Sequence, residues 1–297
     1  MSPITPFFNP IEWVRAYRYN KQNAKFDKSS YDLELYLYSK MLNNNMLHWG
    51  YFEDIDVKPD EISLKQIGEA QHRYANNILA QVADKQHPVL DVGCGMGGLA
   101  ELMLDLSMDV EVLTPNKNQI AYISGRHPEL TCHRCKFEHF MPAKRYGTII
   151  NSESLQYITL DEAFRKVDES ILPNGRWIIT DYFRTNDNAR NRGSHRLDDF
   201  REHVKQHGWN ILVEKDMTRN VLPTIRFVNL YIERFLEPIK HYGFEKLRFK
   251  KAWLFYLTGR LRTKINSKIV KERAAVDSER FLNDKKYLFF VLEKSAD

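Results

Sequence analysis

Cysteine is scarce: Cys94, Cys132 and Cys135 are the only three in 297 residues. So few thiols, odd in number, exclude a disulfide framework and point to reduced side chains. Cys132 and Cys135 have CxxC spacing. A structural zinc site takes about four ligands and there is no second pair, so two thiols on opposite faces of one strand are expected, and no metal site. Glycine (13) and proline (11) are too few for a collagen-like or low-complexity chain. Long apolar runs are missing too. None approaches the ~18 residues of a membrane-spanning helix. The first twenty residues interrupt their hydrophobes with Pro3, Pro6 and Pro10 and lack the apolar core of a signal peptide. A cytoplasmic protein is the expectation.

What is present is ordinary for a folded α/β protein: 43% hydrophobic and 28% charged residues. The length suits one large domain or two ordinary ones, at ~100–200 residues per domain. Net charge is +5, unevenly placed. Lys240 to Arg273 holds eleven Lys/Arg and two Asp/Glu, a local +9, so the rest of the chain is acidic by 4. Such a segment can contact nucleic acid, anionic lipid or a negatively charged substrate, or can be the solvated face of helices.

From Val89 onward, strand-like and helix-like stretches alternate. Strands are expected at Val89–Val92, Val110–Leu113, Leu130–Cys135, Tyr146–Asn151, Arg176–Tyr182 and Trp209–Val213, with helices at Leu99–Leu106, Asn118–Gly125, Leu160–Leu172 and Leu197–His207. This alternation predicts an α/β, doubly wound parallel sheet. Residues 1 to about 80 read as helical, and Thr224–Ile239 sets Ile225, Val228, Ile232, Phe235 and Ile239 on one helical face. Lys286–Glu293 is strand-like again. The expected organisation is therefore a helical cap over 1–75, an α/β domain over 76–218 with 285–297, and a helical insert over 219–284.

The most specific feature is Val89-Leu90-Asp91-Val92-Gly93-Cys94-Gly95-Met96-Gly97-Gly98, with four glycines in six positions. A strand running through such a turn into a helix lets a ligand approach bare backbone, with helix N–H groups aimed at it. Gly93, Gly95 and Gly98 fit GxGxxG, a weak signal when it stands alone. Asp91 argues against a pyrophosphate: its charge would repel one, but suits an ammonium or sulfonium.

At these residues the chain resembles the class I S-adenosylmethionine (SAM) dependent methyltransferases, over roughly Tyr74 to Asp216. The resemblance implies a Rossmann-like sheet of seven strands whose last is antiparallel. It also implies SAM as cofactor, held by Asp91, Gly93, Cys94, Gly95 and Gly97, with Ser152 beyond the fourth strand. The second strand ends in Thr114-Pro115 without the usual acid. This resembles the cyclopropane-fatty-acid synthase branch and its lipid and natural-product relatives, and implies neutral hydrogen bonds to the ribose from Thr114, Asn116 and Gln119. Lys136 stands where an acid usually meets adenine, which leaves the Phe137 backbone or Glu138 for that contact.

Glu153-Ser154-Leu155-Gln156-Tyr157-Ile158 resembles the E-S-x-x-H motif of small-molecule methyltransferases, with Tyr157 in place of histidine. With a reference pKa of about 10, a tyrosine is a weak base near neutrality. It can instead orient substrate, donate a hydrogen bond or face the methyl cation. Glu153 is a reaction-side candidate, or a carboxylate favoured by a helix N-terminus. His48-Trp49-Gly50-Tyr51-Phe52 resembles the H-x-G-Y-F segment that closes over SAM in tocopherol- and sterol-type enzymes, making His48 and Tyr51 candidates for closure or acid–base work. Asp216–Pro223 resembles the D-x-T-x-x-V-x-P element that leads into a substrate-covering insert.

The insert interleaves its cations with Tyr242, Phe244, Phe249, Trp253, Phe255 and Tyr256. That pattern suits an apolar acceptor or an anionic membrane surface, with peripheral attachment. Nucleic acid is disfavoured because no RNA-binding module is recognisable. The resemblance thus implies a methyltransferase (EC 2.1.1) for a small, hydrophobic or lipid-like acceptor. Cyclopropane-type methylene transfer and a non-catalytic partner protein of the same fold are the alternatives.

Overall fold

The computed structural model describes residues 9–23, 44–82, 84–186 and 193–294. Its centre is a sheet in the order β3-β2-β1-β4-β5-β8-β7. The strands are β1 (Val89–Val92), β2 (Val110–Leu113), β3 (Thr131–His133), β4 (Tyr146–Ser152), β5 (Ile171–Arg184), β7 (Trp209–Asp216) and β8 (Lys285–Lys294). β8 runs antiparallel to β5 and β7, whereas β1 to β5 pair in parallel. This is the expected seven-stranded topology. One strand was not anticipated: β6 (His195–Arg196) pairs with the end of β5.

The strands bury both faces, with the period of two that pleating imposes. On β8, Tyr287, Phe289 and Val291 join one core, while Leu288, Phe290 and Leu292 join the other. The first core is covered by α2 (Leu64–Leu79), α3 (Gly98–Asp105) and α7 (Thr218–Tyr231), the second by α5 (Leu160–Ser170) and α6 (Leu197–Gln206). Cys132 packs against the first core and Cys135 against the second, although β3 itself stops at His133.

Local signals explain where elements start. Ser63 and Gln66 form a capping box at α2. Asn116 caps α4 (Lys117–Arg126), accepting from the N–H groups of Asn118 and Gln119. The helix expected to reach Leu172 ends at Ser170, because Ile171 and Leu172 already belong to β5.

The flanks depart further from expectation. In α1 (Pro10–Asn23), none of the residues 10–19 is buried, and Trp13, Val14 and Tyr17 are exposed. α2 packs firmly and runs through the expected boundary at residue 75. Much of the expected cap, 1–8 and 24–43, lies outside the described residues. Residues 44–63 are not helical but form a strap of bends and turns. In the insert, α7 passes through a π-helical turn, Ile232–Leu236, into α8 (Glu237–Lys250), followed by α9 (Ala252–Leu257), α10 (Gly259–Ala275) and α11 (Ser278–Asp284). Pro238 at the start of α8 has no N–H to return to the preceding turn, a reason for the wide turn there. That turn shifts the helical phase, so the face expected to be continuous is split. Ile225 and Ile232 are buried, while Phe235 and Ile239 are exposed.

Candidate functional site

The order of the sheet reverses at β1, between β2 and β4, and crevices that bind ligands in open α/β sheets lie at such switch points. A cavity of about 270 Å³ lies there. Its floor is Asp91 on β1, Gly93, Cys94 and Gly95 just after it, and Ser152 and Glu153 at the end of β4. Its roof is the strap, Asn45 to His48.

The glycines have different duties. Gly93, Gly95 and Gly97 all have positive φ, which glycine adopts without strain. A Cβ on Gly93 would lie 2.4 Å from that of Ser154, and one on Gly98 would lie 2.7 Å from the Asn45 carbonyl. Those two serve packing. A Cβ on Gly95 would have Leu47 as its nearest neighbour, at an ordinary contact distance of 3.4 Å, so here it is the positive φ of +57° rather than crowding that calls for glycine, at a position that lines the cavity. Gly97 faces Ile123 and does not line the cavity.

From Asn45 to Gly50 the strap is clasped at every residue but Leu47. Asn45 donates to Glu101 at 2.8 Å and accepts from the Tyr122 hydroxyl at 2.7 Å. Gln71 donates to the carbonyls of Met46 and His48. The Trp49 N–H donates to Glu153 at 2.9 Å and the Gly50 N–H to Thr224 at 3.2 Å.

Asp91 is 2% exposed, and among the described residues no donor reaches its carboxylate. Burial alone pushes its pKa up to about 7. A cationic ligand in the cavity would relieve that cost. The Cys94 thiol is likewise held well above its usual range, first by burial and then by Asp91, and so stays neutral.

Glu153 sits just beyond β4 with a φ of +54°, an uncommon conformation for a non-glycine residue. Its carboxylate accepts from the hydroxyls of Tyr287 at 2.7 Å and Tyr182 at 3.5 Å as well as from Trp49. Burial outweighs these bonds and raises its pKa to about 7. Trp49 Nε1 donates to the Tyr182 hydroxyl. The Tyr74 hydroxyl links Ser152 at 2.8 Å to Tyr287 at 3.2 Å. Asp181, beside Tyr182 and 1% exposed, accepts backbone N–H bonds from Gln156 and Tyr182, and burial pushes it to about 7 as well.

His48 stacks on Tyr74 with ring centroids 3.9 Å apart. Its Nδ1 donates to the Trp49 carbonyl, and burial lowers its pKa to about 4. The neutral ring therefore leaves Nε2 as an acceptor, buried and without a partner among the described residues.

Of the residues the sequence singled out, Asp91, Gly93, Cys94, Gly95, Gln119, Ser152, Glu153, His48 and Tyr157 meet at the cavity. Tyr157 stands at its rim, 79% exposed. Thr114 is buried and donates to Gln119 at 2.7 Å, while the Asn116 side chain is spent on its helix cap. Phe137 is buried in the second core, and neither it nor Glu138 lines the cavity. Tyr51 lies outside as well, with its hydroxyl accepting from Lys215 at 2.9 Å. Among the described residues, none of 219–284 lines the cavity. Sequence reasoning missed Tyr74, Tyr182, Tyr287 and Asp181. The one available signal was Asp181, an acid closing the apolar run that starts at Trp177.

No protein-family model matches the sequence, and no curated protein matches it. Solved structures do. The 4+2 cyclase SpnF superposes with a TM-score of 0.61 at 18% identity, covering 84% of this chain and 88% of its own. The geranyl diphosphate C-methyltransferase of Streptomyces coelicolor, in complex with S-adenosylhomocysteine, gives 0.55 at 14% identity, with 83% and 87% covered. The O-methyltransferase of a Brevibacillus brevis trans-AT polyketide synthase multienzyme, also with S-adenosylhomocysteine, gives 0.57 at 18%, with 84% of each chain covered. The fold is that of the Rossmann-like methyltransferases. As the cyclase illustrates, that fold does not by itself choose the chemistry.

Proposed function

We propose that the protein is a SAM-dependent methyltransferase acting on a small, apolar acceptor. The observation that carries this reading is Asp91: a buried carboxylate that no donor among the described residues reaches, in a cavity whose floor is a glycine turn. These residues fit the cofactor. Asp91 would answer its positive charge, Gly95 would admit it against bare backbone, the first turn of α3 would offer free N–H groups, and Gln119, held by Thr114, would reach the ribose. Bound SAM supplies a methyl group already activated by its sulfonium.

The chain's own work is to hold the acceptor, exclude water and take a proton. Glu153 is the group for the proton: it reaches the cavity, and a carboxyl that titrates near 7 is matched to work at neutral pH. Tyr287, Tyr182 and the Trp49 N–H fix its orientation. His48 titrates too low to serve as a base near neutrality, so its Nε2 is assigned to accepting a hydrogen bond, and its ring to the closed strap. Met46, Leu47 and Leu99 give the cavity its apolar wall. Cyclopropane-type methylene transfer has no observation of its own in its favour.

The test is direct. S-adenosylhomocysteine should raise the melting temperature and NAD should not. Labelled methyl from SAM should then pass to an organic-soluble component of a cell extract. A shift with NAD alone would overturn the cofactor assignment, and cofactor binding without any labelled product would overturn the reaction.

A further inference from the structure

α8 and α9 bury no residue, yet they carry large apolar side chains. On α8, Ile239, Tyr242 and Phe249 are 66%, 64% and 76% exposed. Their spacing of three and seven puts them on one helical face, and Lys246 and Lys250 fall on that same face. Trp253, Tyr256 and Leu257 on α9 repeat the pattern at spacing three and four, with Tyr256 83% and Leu257 69% exposed. An isolated exposed hydrophobe needs no explanation, but a stripe of them along consecutive helices marks a contact surface.

The surrounding charge selects what covers it. Lys240 to Arg273 has a net charge of +9. Among the described residues Arg248 is paired with Glu245, and Arg273 with Glu233 and Glu237, whereas Lys246, Lys250, Lys251 and Lys264 have no acidic partner. A second copy of the chain would bring one strongly cationic face against another. A nucleic-acid backbone would match the charge but leave Ile239 and Leu257 in water. A bilayer with anionic headgroups satisfies both requirements, because lysine stems lie along the apolar layer while their ammonium groups stay among the headgroups.

We infer that α8 and α9 are an amphipathic docking surface that seats the protein on an anionic lipid bilayer. The aromatic and aliphatic side chains enter the interfacial layer, and the lysines hold it electrostatically. This surface is separate from the cavity, since none of its residues lines it.

The full chain is tested by flotation with vesicles of phosphatidylcholine alone and with added phosphatidylserine. Binding is expected only with the anionic lipid and should weaken as salt is raised, since screening shortens electrostatic reach. Replacing Lys240, Lys246, Lys250 and Lys251 together by Gln should lower partition at least about a hundredfold. Tyr242→Ser with Phe249→Ser and Tyr256→Ser should lower it at least about tenfold, more evidently at high salt. Neither set should change the melting temperature, because no buried side chain is altered. Equal binding to neutral and anionic vesicles, insensitivity to salt, or unchanged partition of either variant would overturn the inference. So would tighter binding to a duplex oligonucleotide than to the vesicles, or a dimer that the aromatic variant abolishes.

Discussion

The Tyr287 hydroxyl donates a 2.7 Å hydrogen bond to the Glu153 carboxylate, joining residues 134 positions apart. Tyr287 is fully buried on β8, paired across the sheet with Tyr182 on β5, and Glu153 leaves the adjacent β4. Three neighbouring strands therefore deliver one acid and two phenols to the same edge of the sheet. The antiparallel last strand is what brings Tyr287 there.

That bond sets a pH dependence. Transfer that needs ionised Glu153 should fall as pH drops through about 7. Tyr287→Phe removes a donor that favours the ionised form, so the acid limb should move to higher pH, with roughly tenfold less activity near neutrality. Glu153→Gln should cost about 10² to 10⁴ in kcat with S-adenosylhomocysteine binding retained. A pH–rate series on the three proteins checks this, and an unmoved acid limb in Tyr287→Phe would remove its positioning role.

Asp91 predicts a conflict between stability and binding. Its folded pKa of about 7 lies above the ordinary 3.8 of an aspartate, so the folded state prefers the proton. The associated stability is complete below about 3.8 and is lost as pH rises through 7. Asp91→Asn should therefore stabilise the ligand-free protein above pH 7, by at most about 4 kcal/mol, with the gain vanishing near pH 4. The same variant should lose S-adenosylhomocysteine binding. Denaturant melts at several pH values, with and without ligand, measure both effects.

Two glycines should respond oppositely to alanine. At Gly98 the new Cβ meets the Asn45 carbonyl at 2.7 Å and Met46 Cγ at 2.8 Å, so the strap must lift, at a cost of about 1–3 kcal/mol and with weakened ligand binding. At Gly125, in the last turn of α4, nothing lies within 4 Å, and alanine should be neutral or stabilise by up to about 1 kcal/mol. Paired denaturant titrations distinguish the two.

Tyr157 should act through its ring. It is 79% exposed, and its hydroxyl has no hydrogen-bond partner among the described residues. Tyr157→Phe should stay within about twofold of wild type in kcat/KM, with Tyr157→Ala clearly lower. A large loss in the Phe variant would show that the hydroxyl participates.

The amino-acid sequence by itself determined the sheet and the turn. Alternating strand and helix patterns, Gly93 to Gly98 and the late apolar run Tyr287–Leu292 are local signals, and each led to its element because burial of a two-faced sheet imposes them on contiguous residues. Local capping rules likewise explain why α2 starts after Ser63 and α4 after Asn116. Only the tertiary structure decided which polar groups meet. Trp49, Tyr74, Tyr182 and Tyr287 read as ordinary core aromatics until the strap, α2, β5 and β8 converge on Glu153. The titration of Asp91, Glu153 and Asp181 near 7 follows from burial, which no spacing of residues displays. Tyr51 sits within a segment that resembles a cofactor-closing motif, yet its hydroxyl turns to Lys215. The apolar face drawn through Ile239 is correct as a helical periodicity, but a π-helical turn before Pro238 rotates it away from the core. The periodicity is local, whereas the side a helix presents depends on everything packed before it.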